Sequence, residues 1–225
     1  MPLIIGVTGS IATGKSLVCQ TLVDLGAIHS DADKLVHRLY DPGTLGFDRI
    51  VKIFGPEIVG IDGYINRKEL GGKVFGNPEA MSKLTEAIGN IGEAIEGTIQ
   101  EWRKTLEDDA TCVLEAVNHV EAGYGQWTDV TWLITSSEDT ARQRLIDRNN
   151  YTLEEANQRL ASQRPWESRV LASDVTVHND GSAEELVTQV KYEYFNLRKL
   201  YEENQLPPSK YYRWWEERQA SKSAE

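Results

Sequence analysis

The chain has 225 residues, enough for one α/β domain with an attached subdomain and a core that needs no staples. Its net charge of −11, from 24 basic and 35 acidic residues, argues against a nucleic-acid partner but not against a nucleotide ligand, whose phosphates need only local amides and a few cations. Two cysteines, Cys19 and Cys112, are too few and too far apart for a disulfide framework or a zinc site, and the absence of a signal-like leader or a run of ~20 apolar residues points to a cytoplasmic protein without a membrane partner.

Leu3–Thr8 is a short apolar run entering a glycine turn, which predicts a buried first strand. From Lys15 a helical period takes over: Leu17, Val18, Thr21, Leu22 and Leu25 share one face, and Gly26 ends the helix. A second strand is expected at Ala27–Ser30, landing on Asp31-Ala32-Asp33. A helix at Lys34–Tyr40 then breaks on Asp41-Pro42-Gly43. Residues 44–110 read as mostly helical, with a turn at Asp62-Gly63 and a helix opened by Asn77-Pro78. Gly89, Gly92 and Gly97 predict a bend or break between Glu79 and Leu106. Thr111–Ala116 and Val130–Thr135, apolar and β-branched, are strands three and four, and Asp174–His178 is a fifth. Ser137–Arg148 is helical, and Thr152 with Glu155 forms the capping box of the next helix. Ser182 caps a final long helix that aligns Leu186, Val190, Tyr194, Leu197 and Tyr201. After Pro207-Pro208 comes a polar tail whose aromatics, Tyr211 to Trp215, suit docking on the body or on a neighbouring subunit. The alternation predicts an α/β fold: a three-layer sandwich around a central parallel five-stranded sheet.

Gly9-Ser10-Ile11-Ala12-Thr13-Gly14-Lys15-Ser16 fits the P-loop pattern at every fixed position, between a predicted strand and a predicted helix. The glycines let successive N–H groups point inward at phosphate oxygens, and the helix adds its positive end. The expected nucleotide-binding residues are therefore Ser10, Ile11, Ala12, Thr13, Gly14, Lys15, Ser16 and Leu17. Lys15 reaches the β- and γ-phosphates of ATP, and the Ser16 hydroxyl holds Mg²⁺. A small-molecule kinase fits the P-loop better than a GTPase or a motor. The chain is short, has no obvious switch segment, and carries an arginine-rich lid candidate that would keep water away from the transferring group.

Asp31 and Asp33 follow the second strand at the carboxyl edge of the sheet, where open α/β folds bind ligands. One carboxylate suits the acceptor's hydroxyl proton and the other a place near Mg²⁺; a plain helix cap is the alternative for either. Glu115, ending the third strand, is a candidate metal-facing acid, with a solvated strand end as the alternative. Arg144 and Arg148 share a helical face and are candidate phosphate contacts, whereas Arg142 and Arg159 are expected to pair with neighbouring acids. His29, His37, His119 and His178 show no metal-ligand spacing.

The P-loop, Asp31-Ala32-Asp33, Asp62-Gly63-x-Ile65-x-Arg67-x-x-Leu70, Val74-Phe75-x-Asn77-Pro78-Glu79, the Glu121 segment and Asp174…Asn179-x-Gly181 together resemble the dephospho-coenzyme A kinase family. The resemblance spans roughly residues 3 to 200. It implies a P-loop NTPase fold over 1–208, with a helical substrate region at about 62–108, a lid at about 144–168 and the tail at 209–225. It implies ATP-dependent phosphorylation of the ribose 3′-hydroxyl of dephospho-CoA. By motif, Asp33 would be the general base, Arg144 and Arg148 lid contacts, and Asn179 with Gly181 neighbours of the adenine. The catalytic set is then Asp33, Lys15 and Arg144, and the metal set Ser16, Asp31 and Glu115. ATP and dephospho-CoA are the expected partners of a monomer or small homo-oligomer. Two departures fall where the family usually has His-Pro and Pro-Leu-Leu: here stand Gly89-Asn90 and Val117-Asn118-His119. They motivate two other readings, a kinase with a different hydroxyl acceptor and a non-catalytic nucleotide-binding partner protein.

Overall fold

The computed structural model describes residues 1–223, and it divides into a sheet unit, Met1–Ser30 with the chain from Ile99 onward, and a helical unit, Asp31–Thr98. In chain order the first elements are β1 (Leu3–Gly9), α1 (Lys15–Asp24), β2 (Ile28–Asp31), α2 (Ala32–Arg38), α3 (Leu45–Phe54) and α4 (Arg67–Val74). Next come α5 (Pro78–Ile88), α6 (Ile91–Thr105), β3 (Thr111–Glu115), β4 (Val130–Thr135), α7 (Glu138–Asn149) and α8 (Leu153–Ala161). The last are α9 (Glu167–Val170), β5 (Val175–His178), α10 (Ala183–Glu202) and α11 (Lys210–Ser223).

The strands form one five-stranded parallel sheet in the order β2-β3-β1-β4-β5, the expected α/β architecture. β1 lies in the centre, with Leu3 opposite Thr111 on one side and Ile5 opposite Val130 on the other. A central parallel strand is covered on both faces, which explains its unbroken rather than alternating apolar run; all seven residues are buried. Val18, Cys19 and Leu22 of α1 and Leu186, Val190, Tyr194 and Leu197 of α10 join Leu3, Val7 and Trp132 in one core. The Tyr194 hydroxyl meets Thr111 Oγ1 at 3.1 Å, so the phenol enters this core with its polar end satisfied. Gly6 admits no side chain, because a Cβ there would stand 2.2 Å from the His119 ring.

The helical unit has its own core of Tyr40, Ile50, Phe54, Ile58, Ile65, Leu70, Val74 and Ala87. Its helices begin on side-chain caps: Asp31 for α2, Thr44 for α3, Asn66 for α4 and Asn77, followed by Pro78, for α5. The Asp31 cap starts α2 at Ala32, two residues before the expected Lys34. The expected break after Glu79 falls at Gly89-Asn90. Gly89 has φ +94°, and Asn90 Oδ1 accepts from the Glu93 N–H at 3.2 Å. That departure is a helix stop followed by a helix start.

The segment after Pro208 corrects the expectation of a polar tail following a final helix. It forms α11, because Tyr211, Trp214 and Trp215 share one helical face that finds apolar cover. Tyr211 is fully buried with Val120 and Ala172, its hydroxyl donates to the Val120 carbonyl at 2.9 Å, and its ring stacks on Trp215. The Asp174 carboxylate accepts from Ser209 Oγ and the Lys210 N–H on one side and from the Thr131 N–H on the other, which joins the start of α11 to β4. The aromatic strip is thus occupied by its own chain. Residues 224 and 225 of the expected tail lie outside the described residues.

Candidate active site

The P-loop lies between β1 and α1, as its motif requires. Gly14 stands at φ +96° as the N-cap of α1, and a Cβ there would lie 2.3 Å from Asn179 Nδ2. Thr13 Oγ1 donates to the Ser10 carbonyl at 3.0 Å, which tightens the loop on itself. The first turn of α1 carries no acidic residue, so its positive end is left for an anion. Lys15 Nζ donates to the carbonyls of Gly9 and Ser10, each at 2.9 Å, and these bonds hold the ammonium against the loop. Ser16 is exposed, and Leu17 is half-buried against the core.

Two distant residues clamp this loop. Asn179, buried just after β5, donates from Nδ2 to the Thr13 carbonyl at 2.9 Å. Arg144 of α7 donates to the Asn179 carbonyl at 3.0 Å, to its Oδ1 at 3.2 Å and to the Ala12 carbonyl at 3.5 Å. The Asn179 amide therefore uses both its ends on protein partners. Asp180 accepts from the Ser137 N–H at 2.7 Å, and that bond, with the nearby Arg144 charge, holds its carboxyl below the usual range. Gly181 follows, exposed, just before the Ser182 cap of α10. Arg148 is exposed and donates to Asn149 Oδ1, while Arg142 pairs with Glu138, Asp139 and Asn157 as expected. Beside the P-loop opens a cavity of about 630 Å³ lined by Ser10, Ile11, Thr13, Ser136, Arg164 and Trp166. Arg164 and Trp166 fall within the lid expected at about 144–168, whereas Ser136 was not singled out, because only the fold brings the end of β4 beside the loop.

Glu115, at the end of β3, is mostly buried, and His29 Nε2 lies 3.1 Å from its Oε2. Burial alone would raise its pKa; the His29 hydrogen bond, the Lys15 charge and the Cys19 thiol outweigh that and lower it. The carboxylate is therefore charged at neutral pH, mostly withdrawn from solvent and under the influence of the P-loop lysine's charge. Cys19, His29 and Glu115 present three ligand atoms within 4.8 Å of one another, a grouping hidden in a sequence where they stand 10 and 86 positions apart.

Asp31 and Asp33 belong to the helical unit. Asp31 Oδ1 accepts from the Asp33 and Lys34 N–H groups at 2.9 and 3.4 Å, so one oxygen caps α2 and the other remains for a further partner. Asp33 is exposed in the first turn of that helix. Within the same unit, His37, Tyr40, Asp41, Asp62, Asn66 and Arg67 line a cavity of about 410 Å³. Burial, then the Arg67 charge, lowers the His37 pKa against the pull of Asp33, Asp31 and Asp41. Arg67 thus brings a cation to an acidic neighbourhood.

His119 is not a ligand-facing departure. It is fully buried over Gly6, with Nε2 3.3 Å from Thr131 Oγ1 and 3.4 Å from Thr128 Oγ1 and its ring edge-on to Tyr124 and Tyr211. Burial pushes its pKa down to about 3, so it stays neutral inside the fold.

Comparisons with known proteins follow the same lines. The CoaE family model, described as dephospho-CoA kinase, matches residues 3–185. The chain is 37% identical over 192 residues to a dephospho-CoA kinase of Symbiobacterium thermophilum, covering 84% of this chain and 78% of that one. Among solved structures, TT1252 from Thermus thermophilus aligns with a TM-score of 0.70 at 28% identity, over 87% of this chain and 98% of its own. A dephospho-CoA kinase from Campylobacter jejuni aligns with a TM-score of 0.61 at 25% identity, over 86% and 96%.

Proposed function

The chain belongs to the dephospho-CoA kinase family, and from that premise we propose how its residues divide the work of moving a phosphoryl group from ATP to dephospho-CoA. The reaction is the last step of coenzyme A synthesis, and the enzyme is a transferase. The acceptor atom in this reading is the ribose 3′-hydroxyl. The bond from that oxygen to the γ-phosphorus forms as the bond to the ADP oxygen breaks, and the hydroxyl proton passes to the Asp33 carboxylate.

The observation that carries the assignment is the clamped phosphate cradle: P-loop amides, Lys15 and an Arg144 guanidinium tied through Asn179 to the loop itself. Catalysis of phosphoryl transfer is mainly positioning and charge stabilisation, and donors already in place need no rearrangement as charge develops. Ser10 to Leu17 bind the phosphates, with Lys15 on the β- and γ-groups. Arg144 and Arg148 serve from the lid side, and Asn179 and Gly181 flank the adenine. Arg67 answers the negative charge of the acceptor from the helical unit.

Magnesium fits the donor set. Ser16, Asp31 and Glu115 offer oxygen ligands, the kind a hard cation takes, and Glu115 is kept ionised despite its burial. There Ser16, Asp31 and Glu115 would hold the ion, whose chemistry would be to neutralise charge on the phosphate oxygens. The same reading places the enzyme in the cytoplasm as a monomer or small homo-oligomer with no nucleic-acid partner; among the described residues no helix is long and apolar enough to cross a membrane.

The test is a coupled ADP-release assay with Mg·ATP and dephospho-CoA, run on the wild type and on Asp33→Asn. Loss of the base should lower kcat by about 10²–10⁴ while the ATP dissociation constant stays unchanged. A variant that keeps its kcat would remove Asp33 from the role of base.

A further inference from the structure

Cys19 on α1, His29 on β2 and Glu115 at the end of β3 bring a thiol, an imidazole and a carboxylate to one place. Cys19 is 1% exposed, and the side chains of His29 and Glu115 are 23% and 13% exposed. A thiolate, an imidazole nitrogen and a carboxylate oxygen with a fourth position open form the donor set of zinc, and magnesium does not select for it. Bonds of about 2.0–2.3 Å at tetrahedral angles need ligand separations of roughly 3.3–3.6 Å. His29 and Glu115 already stand 3.1 Å apart, and Cys19 Sγ is within 4.8 Å of both, so the widest gap left to close is about 1.5 Å. The metal-free alternative is a His29–Glu115 pair with the thiol as a weak neighbour.

We propose that Cys19 Sγ, His29 Nε2 and a Glu115 carboxylate oxygen form a binding site for a borderline-soft divalent ion of the zinc class, and that its occupancy inhibits the kinase. The ion binds as three protein ligands close on it and the thiol releases its proton to solvent. Inhibition follows because the ion takes a carboxylate that otherwise interacts with the charge of the P-loop lysine. That second half rests on the metal-facing reading of Glu115; binding itself does not.

Cobalt(II) is the probe, titrated into the full chain without ATP or magnesium. A thiolate-to-cobalt charge-transfer band that saturates at one equivalent, is displaced by zinc, and survives in Cys112→Ala is the expected result. Cys19→Ala should abolish it. His29→Gln, altered at a more exposed position, should weaken binding at least tenfold and serves if the Cys19 variant does not fold. Absence of the band, or its persistence in Cys19→Ala, overturns the site. ADP release is then measured at buffered free zinc. Inhibition at least tenfold weaker in Cys19→Ala supports the inhibitory half, and equal inhibition of both proteins overturns that half even where the band is present, which separates it from failure of the kinase reading.

Discussion

Around the P-loop, Arg144 and Asn179 reach across 132 and 166 positions of chain to hold the carbonyls of Ala12 and Thr13. In the helical unit, Asp31 holds Asp33 and Lys34, its own neighbours. The first arrangement depends on the whole sheet unit being folded, and it presents its charges already fixed. The second needs one helical turn, and it leaves Asp33 exposed. A kinase has reason for both. On the division of work proposed above, the phosphate side meets the same chemical group at every turnover and gains from preorganisation, whereas the acceptor side has to admit a bulky partner before a proton moves.

The contrast can be broken most severely at Lys15. Lys15→Ala should lower kcat by about 10²–10³ with dephospho-CoA, the scale of losing one fixed charge-stabilising donor. Retention of near-normal turnover in steady-state kinetics would show that the cradle does not depend on it. Asn179→Ala comes next. It leaves the Thr13 carbonyl without its donor and Arg144 without the Oδ1 acceptor, though Arg144 keeps the main-chain carbonyl at position 179, a loss of about 1–3 kcal/mol. The expected outcome is an ATP KM raised roughly tenfold, together with a smaller further loss on adding Arg144→Ala than in the wild-type background. Strict additivity of the two would mean that the clamp is not one unit.

On the other side of the comparison, Gly89→Ala forces an alanine to φ +94°, ψ −159° between α5 and α6, at about 1–3 kcal/mol. Thermal unfolding should shift down, and hydrogen exchange should accelerate in the helical unit first while P-loop protection is kept. Uniform acceleration would make the two units one cooperative block.

The smallest effect at neutral pH belongs to His119. Its folded pKa of about 3 lies below the 6.5 of an exposed histidine. As pH falls through 6.5 the unfolded chain takes up a proton that the folded chain refuses, so stability is lost steadily until the buried ring protonates near 3. His119→Gln should flatten the fall of Tm across that window. Parallel slopes for variant and wild type would assign the acid sensitivity to other groups.

What was readable in advance follows the same division. The P-loop is contiguous, and each of its residues has one chemical reason to be there, so strand, loop and helix could be placed before any coordinates. The long apolar run of β1 and the capping box at Thr152 and Glu155 are equally local signals, and both elements form where expected. The clamp was legible only in part. Arg144 stood out as a cation, but its bond to Asn179 depends on β5 returning beside α7. His119 looked like a substrate-side change because burial is not written in a tripeptide; it is set by Gly6, Thr128 and Thr131 from other strands. The segment after Pro208 looked polar because Lys210, Arg213, Glu216, Glu217, Arg218, Lys222 and Glu225 outnumber its four aromatics, and only the Val120 and Ala172 surface shows which face matters. Cys19, His29 and Glu115 converge only once β2 lies beside β3 and α1 packs on the sheet.

The central place of β1 has a consequence for how the chain is made. Leu3 must wait for Thr111, and Ile5 for Val130, before the strand has any neighbour at all. Until then a run of seven residues destined for full burial has both edges open, while the helical unit between them can condense from contacts close in sequence. During synthesis the most apolar strand is therefore the longest exposed, the state in which nascent chains stick to one another. Growth temperature and chaperone supply should govern the yield of folded enzyme more strongly than its final stability does.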